Sequence, residues 1–292
     1  MIRLLAPAKI NLSFDVIGRR DDGFHEVRTV LQAIDLADLL EIKEAPEISL
    51  TVEPEGVVPV EGNLVVRAAN ALREALGVST GAAITLRKRI PVAAGLGGGS
   101  SDAAATLQGL RMLWGIDCDL TLIDRIAASL GADVPFFLRG GTAVGSGRGD
   151  VLELLPLPVE KYAVVVTPYE PADAAKTARL YGFLKPEHYS DGSSTGSLVF
   201  RILKQSPIGN AMRNTFAAVA ASAYESYEMA RTTFDATEAS ATLLAGAGPS
   251  MFTLVDDEAI GDEIAKCMTD AGYEAHLARL LGPWSNEGLA VT

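Results

Sequence analysis

The chain has 292 residues, of which 48% are hydrophobic and 21% are charged, and its formal net charge is −12. This composition supplies a sizeable core and excludes a disordered chain, and the acidic balance argues against nucleic acid as a partner, because nucleic-acid-binding proteins carry basic surfaces. Two cysteines are too few for a disulfide framework, and no apolar run in the sequence approaches the ~18 residues of a membrane span. We therefore expect a cytoplasmic globular protein that binds neither nucleic acid nor membrane.

The N-terminal elements are predicted to be strands joined by a polar loop. Residues 10–17 alternate between apolar and polar side chains, which is typical of a half-buried strand. Residues 18–27 have the turn-forming composition of a loop and carry Phe24 and His25. Two further strands are predicted over residues 39–45 and 47–53.

Helices and one more strand follow. Asn63 and Gly77 enclose an apolar-periodic stretch as N-cap and C-terminal stop, so we predict a helix between them. A strand over residues 82–92 runs directly into a cluster of glycines. Two further helices are predicted over residues 101–115 and 120–131, each ending at or near a glycine.

Prolines near residue 156 indicate a boundary between two domains, residues 1–155 and 156–292. The second half opens with a buried-type strand over 162–167, and the polar, turn-rich residues 185–197 predict a surface loop. The remaining predicted elements are a helix over 214–231, a strand–glycine turn–strand unit over 242–255, a helix over 257–271 and a strand over 274–280. Strands and helices do not alternate as in a doubly wound sheet, so the predicted fold class is α+β.

The glycine cluster at residues 95–99 needs an explanation. Glycine is costly in folded backbone, so a dense run marks a turn with unusual dihedral angles or a close approach to a ligand. Neither the P-loop pattern nor the dinucleotide fingerprint fits these residues. The run leads into the start of a helix, where unpaired N–H groups and the helix dipole attract an anion. We expect a phosphate site with Ser100 and Ser101 as hydroxyl donors and helix caps; the alternative is a glycine-rich turn closed by a serine N-cap.

Two stretches resemble those of a known family. PVAAGLGGGSSDAA, residues 91–104, is similar to the nucleotide-binding motif of the GHMP kinase superfamily. APAKINLSFDVIGRRDDGFHEV, residues 6–27, resembles the branch of that superfamily that phosphorylates a cytidine-diphosphate-linked methylerythritol. Segments 130–150, 214–220 and 243–252 are similar to the same branch in order and spacing, so the resemblance covers nearly the whole chain.

The resemblance implies both a fold and a reaction. The fold is the two-domain GHMP kinase architecture, with a ribosomal-protein-S5-like N-terminal half, a ferredoxin-like C-terminal half and the active site in the cleft between them. The reaction is phosphoryl transfer from ATP, with Mg²⁺, to a hydroxyl group of a small-molecule substrate. The ligands of Mg²⁺ stay open, with Ser100 and Ser101 as the nearest candidates.

By resemblance, Asp133 is the catalytic base and Lys9 lies beside it. Phosphoryl transfer needs positioning, neutralisation of charge and a group that takes the hydroxyl proton. A nearby ammonium suits this purpose, because it keeps the carboxylate ionised and attracts the negative charge that develops on the reacting oxygens. From the residues alone, the commoner role of Asp133 would be that of a turn-forming acid before Pro135, and Lys9 would be a solvated lysine at a strand edge.

The other predicted site residues divide into an ATP side and an acceptor side. The cytosine of the acceptor would stack on Phe24, with His25 at the edge of the base and Tyr181 as a second ring, unless Tyr181 is simply a surface residue of an amphipathic helix. The predicted ATP-side residues are Pro91, Gly95, Leu96, Gly97, Gly98, Gly99, Ser100, Ser101 and, near the adenine, Asn63. The predicted acceptor-side residues are Asn11, Phe24, His25, Thr177, Tyr181, Gly246 and Gly248.

One glycine turn departs from the family pattern. Residues 245–248 read Ala-Gly-Ala-Gly where these kinases usually have S-G-[ST]-G, so two hydroxyls are missing, at a cost of about 0.5–1.5 kcal/mol for each lost hydrogen bond. The departure permits a catalytically silent nucleotide-binding regulator as an alternative. Another GHMP kinase, of the mevalonate or homoserine type, is a second alternative, and the protein is expected to be a monomer or a weak homodimer.

Overall fold

The computed structural model describes residues 1–116, 119–171, 175–284 and 289–290, which leaves Cys118 outside the described part of the chain. The strands are β1 (Ile2–Arg19), β2 (His25–Ala45), β3 (Ser49–Glu53), β4 (Gly81–Arg87), β5 (Thr142–Ser146), β6 (Val151–Leu155), β7 (Tyr162–Thr167), β8 (Arg213–Asn214), β9 (Leu243–Leu244), β10 (Met251–Val255), β11 (Glu274–Arg279) and β12 (Leu289–Ala290). The helices are α1 (Leu64–Leu76), α2 (Gly98–Leu113), α3 (Leu120–Leu130), α4 (Val134–Phe137), α5 (Lys176–Phe183), α6 (Ser193–Leu203), α7 (Ala220–Ala223), α8 (Tyr227–Asp235) and α9 (Glu258–Asp270).

Two long N-terminal strands form the centre of the larger sheet. β1 and β2 pair antiparallel along most of their length, and the sheet order is β12-β1-β2-β4-β3. β5 pairs with β2 and β6, and β8 pairs parallel with β1. β1 is longer than the predicted strand over 10–17, and it is not half-buried, because the polar residues Asn11, Ser13 and Asp15 are buried as well as the apolar ones.

Helices α1, α2 and α3 pack on the larger sheet in one apolar core. The helix predicted between Asn63 and Gly77 is confirmed: the Asn63 side chain accepts a hydrogen bond from the N–H of Val65 at 3.0 Å, and Gly77 ends the helix with a φ of 64°. α2 begins three residues earlier than predicted, after Gly97 in a left-handed conformation. The predicted serine cap is therefore wrong, since Ser100 and Ser101 lie inside the first turn of α2 (Gly98–Leu113).

The smaller sheet has the order β11-β7-β10-β9 and is antiparallel throughout. The strands predicted over 162–167 and 274–280 and the helix predicted over 257–271 are present as β7, β11 and α9. Ile10 and Val30 of the larger sheet share one apolar cluster with Val165 and Phe252 of the smaller sheet. The two sheets are thus joined by a common core, and the α+β class is confirmed.

Two predictions for the second half are wrong. Residues 185–197 are not one loop, because α6 begins at Ser193, where the buried carboxylate of Asp15 accepts hydrogen bonds from the N–H and hydroxyl of Thr195 at 2.9 and 2.7 Å. Residues 214–231 are not one helix, because a 3₁₀ turn, the short α7 and an extended Tyr224 interrupt them before α8. Both errors arise from tertiary contacts that local sequence patterns do not record.

Candidate active site

A cleft of about 1390 Å³ is lined by both halves of the chain. Two of its sides differ in construction. We call residues 88–102 the glycine wall, and we call His25, Thr177 and Tyr181 the aromatic wall. Lys9 of β1 and Asp133, which directly precedes α4, also line the cleft.

Lys9 and Asp133 form an ion pair in this cleft. Lys9 Nζ lies 3.8 Å from Asp133 Oδ2 and donates to Asn11 Oδ1 at 2.7 Å and to the carbonyl of Gly95 at 2.8 Å. Burial lowers the pKa of Lys9 below its usual value, and the carboxylate of Asp133 acts in the opposite direction. The Lys9 side chain is 6% exposed and its ammonium is held by two further acceptors, whereas the Asp133 side chain is 38% exposed and open to a ligand.

The glycines of the glycine wall have different roles. Gly95 and Gly97 have φ values of 85° and 75°, which residues with a side chain rarely adopt. A Cβ on Gly95 would lie 2.1 Å from the carbonyl oxygen of Ala245, so this glycine lets two turns touch. A Cβ on Gly99 would have Leu64 as its nearest neighbour, at 3.8 Å. Packing therefore requires glycine at 95, while Gly99 leaves space in the cleft that it lines.

The second glycine turn, residues 245–248, packs against the glycine wall at Gly95. Asn214 Nδ2 donates to the carbonyls of Leu244 and Gly246, each at 2.8 Å, and so holds the turn from one side. The N–H and C=O of a trans peptide point in opposite directions, so the N–H of Ala247 points away from Asn214. Gly246 and Ala247 line the cleft. The turn can therefore offer backbone donors without the two hydroxyls that the family pattern has.

The aromatic wall pairs rings from distant parts of the chain. His25 and Tyr181 stack with ring centroids 4.4 Å apart and an interplanar angle of 15°. The ring of Phe216 contacts Tyr181 edge-on, at 4.9 Å between centroids. Phe24 is exposed, and its ring lies 5.2 Å from the guanidinium of Arg148. The structure thus brings His25, rather than Phe24, against Tyr181.

Both rings of the aromatic wall are kept uncharged. Burial, and then the negative charge of Asp133, raises the pKa of Tyr181 far above its usual value of 10.0. Burial, and then the positive charge of Arg19, lowers the pKa of His25 below 6.5. Tyr181 lines the same cleft as the Lys9–Asp133 pair.

A buried ion cluster that sequence reasoning missed supports the glycine wall. Lys88 Nζ donates to both Asp38 and Asp102, the latter at 2.8 Å, and Asp38 Oδ1 accepts from the N–H groups of Arg89 and Ile90 at 2.5 and 2.9 Å. All three charged side chains are at most 6% exposed. The available signal was a charged residue among apolar ones, with Asp102 in an alanine-rich helix. The cluster joins the strand end of β4 to the first turns of α2.

Most of the predicted site residues meet in this one cleft. The exceptions are Ser101 and Gly248, which are buried beneath its surface. Gly248 shapes the second turn, with a φ of 70° and an N–H that donates to the carbonyl of Ala245 at 2.8 Å. The residues that line the cleft as predicted are Lys9, Asn11, Phe24, His25, Asn63, Pro91, Gly95, Leu96, Gly97, Gly98, Gly99, Ser100, Asp133, Thr177, Tyr181 and Gly246.

Within the described part of the chain, no group of three or more His, Cys, Asp and Glu side chains is arranged to hold a metal ion by itself. Ser100 is an oxygen donor at the start of α2 and lines the cleft, which suits a hard cation that is shared with phosphate oxygens. None of the helices in the same described residues is long and apolar enough to cross a membrane.

Comparison with known proteins agrees with this architecture. Residues 63–141 match the family model described as the GHMP kinases N terminal domain. A crystal structure of 4-(cytidine 5'-diphospho)-2C-methyl-D-erythritol kinase superposes with a TM-score of 0.80 and 32% identity, and the match covers 96% of this chain and 100% of that one. The fold and the glycine-rich cleft thus define a GHMP kinase.

Curated relatives indicate one particular family among the GHMP kinases. The 4-diphosphocytidyl-2-C-methyl-D-erythritol kinase of Dehalococcoides mccartyi is 37% identical over 97% of this chain and 99% of its own length. The enzyme of the same name from Pelotomaculum thermopropionicum is 41% identical over 88% of this chain and 90% of its own length. The chain belongs to the family of 4-diphosphocytidyl-2-C-methyl-D-erythritol kinases.

Proposed function

We propose that this protein transfers the γ-phosphoryl group of ATP to the 2-hydroxyl of 4-diphosphocytidyl-2-C-methyl-D-erythritol. The observation that carries the proposal is the position of the Lys9–Asp133 pair, between a glycine wall suited to phosphates and an aromatic wall suited to a base. The names of the relatives support the same reaction. The enzyme would be cytoplasmic, a monomer or a weak homodimer, with domains at residues 1–155 and 156–292.

The ATP phosphates bind along the glycine wall at the start of α2. The first N–H groups of a helix have no partners within the helix, and the helix dipole adds positive potential there. Gly99 allows close approach of the phosphates, and Ser100 is the residue that would share Mg²⁺ with them. When bound, Mg²⁺ shields the negative charge of the phosphates. The adenine lies towards Asn63 and Pro91, which line the same cleft.

Asp133 acts as the general base. The acceptor oxygen forms a bond to the γ-phosphorus, the bond from that phosphorus to the ADP oxygen breaks, and the hydroxyl proton passes to the Asp133 carboxylate. Lys9 holds its positive charge beside the reacting oxygens, because its ammonium is fixed by Asn11 and Gly95. Asp133 later releases the proton to solvent, for which its partial exposure is sufficient.

The cytosine base of the acceptor binds at the aromatic wall. His25 and Tyr181 already stack on each other at 4.4 Å, so a base that enters between them must separate the rings by its own thickness. Each face of the base would then contact one ring, which contributes about 1–3 kcal/mol. The diphosphate of the acceptor lies against the turn 245–248.

The test is ADP release from Mg·ATP with three acceptors in parallel: the cytidylated methylerythritol, mevalonate and homoserine. We expect turnover with the cytidylated acceptor alone, and mass spectrometry of the product should show one added phosphoryl group. Turnover with mevalonate or homoserine instead would overturn the assignment of the aromatic wall to a base. ATP binding without turnover on any of the three would favour the silent regulator.

A further inference from the structure

Lys176 joins three parts of the cleft. It is the first residue of α5 and is 9% exposed. Its ammonium donates to the carbonyl of Ala93 in the glycine wall and to the carbonyl of Gly248 in the second glycine turn. The next residue in the chain is Thr177, and Tyr181 follows one turn later, so the lysine belongs to the helix that carries most of the aromatic wall.

Both carbonyls lie at strained or tightly packed points of the backbone. Ala93 has a φ of 52°, which is rare for a residue with a Cβ, so its peptide orientation needs an external partner. Gly248 closes a turn whose other carbonyls are held by Asn214 and by the hydroxyl of Tyr224, which donates to Ala247 at 2.5 Å. The ammonium of Lys176 is thus a shared anchor for two turns that touch through Gly95.

A buried cation that donates to two backbone oxygens is costly to displace, because each released carbonyl would lose a charge-assisted hydrogen bond. A displacement of α5, such as the separation of Tyr181 from His25 by an entering base, therefore acts directly on both glycine turns. The backbone of these turns forms the proposed phosphate-binding surface. The contacts at Lys176 link the aromatic wall to the glycine wall.

We propose that Lys176 is a positioning residue that couples the two walls, so that binding of the cytidylated acceptor tightens binding of the nucleotide. This inference rests on the proposed function, because it takes the aromatic wall as the acceptor site. Coupling of this kind is reciprocal and typically amounts to about 5- to 150-fold in affinity. Lys176 itself takes no part in the proton transfer, which belongs to Asp133.

The test is the dissociation constant of a non-hydrolysable ATP analogue, measured by calorimetry with and without saturating cytidylated acceptor. In the wild-type protein the acceptor should lower this constant by at least about fivefold. In Lys176→Met the ratio should fall to near one, and Lys176→Arg, which keeps a charged donor, should restore part of it. Lys266→Met, which removes an exposed lysine on α9, is the matched control and should keep the wild-type ratio.

Two outcomes would overturn the inference: a ratio of one in the wild-type protein, or a wild-type ratio in folded Lys176→Met. A purely structural lysine would lower the melting temperature and leave the ratio intact. If Lys176→Met does not fold, Lys176→Gln takes its place: the neutral amide cannot make the charge-assisted hydrogen bonds on which the coupling depends, so a wild-type ratio in this variant also overturns the inference. Failure of the proposed function is distinguished by the wild-type turnover assay, because an inactive wild-type protein contradicts the function whatever the ratio.

Discussion

The glycine wall and the aromatic wall face the same cleft, but the first presents backbone groups to it and the second presents side chains. The glycine wall is a continuous stretch of chain, residues 88–102, that offers backbone groups and is supported by the buried cluster of Lys88, Asp38 and Asp102. The aromatic wall consists of side chains from distant parts of the chain, His25 of β2 and two residues of α5, and its central contact is the ring of His25 stacked on that of Tyr181.

A backbone site and a side-chain site therefore place different requirements on the sequence. A backbone site needs residues that permit the backbone to approach, so its glycines are hard to replace. A side-chain site needs only a ring of suitable shape, which several residue types can supply. We therefore expect substitutions in the glycine wall to weaken nucleotide binding, and to impair folding as well where packing requires the glycine. Substitutions in the aromatic wall should affect mainly the binding of the acceptor.

The largest effect should come from Asp133, where the two walls meet. In Asp133→Asn we expect kcat to fall about 100- to 10,000-fold, because the amide cannot accept the hydroxyl proton. Binding of the ATP analogue and of the acceptor should remain, which calorimetry would show. The control is Asp124→Asn, because Asp124 is a partly exposed acid on α3 that pairs with Arg139 and does not line the cleft. Full activity of Asp133→Asn would show that the reaction needs no base from this position.

Lys88→Met should test the support of the glycine wall. Two buried carboxylates would lose their shared cation, so the free energy of unfolding should drop by about 3–5 kcal/mol at neutral pH. Urea denaturation measures this change, and Arg87→Met, which removes an exposed neighbour, should cost far less. An equal loss of unfolding free energy in the two variants would mean that the buried cluster stabilises the fold no more than an exposed ion pair does.

The stability of Lys88→Met should also depend on pH. Burial raises the pKa of Asp102 well above 3.8 even in the presence of Lys88. The folded state therefore binds a proton at pH values where the unfolded state does not. The free energy of unfolding of Lys88→Met should therefore rise as the pH falls towards the pKa of the carboxyl group in the unfolded state. If the stability of Lys88→Met relative to the wild-type protein stays constant over this pH range, the raised pKa of Asp102 is contradicted.

Gly95→Ala and Gly99→Ala should separate the two roles of the glycines. A methyl group at 95 requires an unfavourable φ and meets the carbonyl of Ala245, so we expect a loss of at least about 1–3 kcal/mol in stability, measured by thermal unfolding. A methyl group at 99 fits the structure, so Gly99→Ala should fold normally and show weaker ATP binding. Normal ATP binding by Gly99→Ala would move the phosphates away from this residue.

On the aromatic wall, Tyr181→Leu should raise the KM for the cytidylated acceptor about 5- to 150-fold, the equivalent of one lost stacking interaction. The KM for ATP should change much less. Phe24→Leu is the matched control, since Phe24 is exposed beside Arg148 and does not stack on the ring pair. A larger effect of Phe24→Leu than of Tyr181→Leu would restore Phe24 as the stacking ring.

The smallest effect should be the pH dependence of acceptor binding. Burial and Arg19 lower the pKa of His25, so the ring stays neutral at neutral pH and takes a proton only below its usual 6.5. We expect the KM for the acceptor to be constant near neutrality and to rise a few-fold as pH falls through the lowered pKa. His25→Phe should remove this rise, and persistence of the rise in that variant would assign it to another group.

The sequence by itself determined what depends on local backbone chemistry. The caps of α1 at Asn63 and Gly77 could be predicted, because they follow from dihedral preferences and short-range hydrogen bonds. The α+β class could be predicted from the order of the strand and helix patterns along the chain. Lys9 and Asp133 could be named only through their resemblance to a known family, since a charged residue alone has no diagnostic spacing. The structure brings these two side chains to 3.8 Å from each other.

The tertiary structure decided what depends on contacts between distant segments. The stacking of His25 on Tyr181, the Lys88 cluster and the two carbonyls held by Lys176 join residues that no local pattern relates. The start of α6 likewise depends on Asp15, 180 positions away from Thr195. Burial favours such contacts between polar groups and between rings, and the fold, rather than the neighbouring sequence, determines which partner lies within reach.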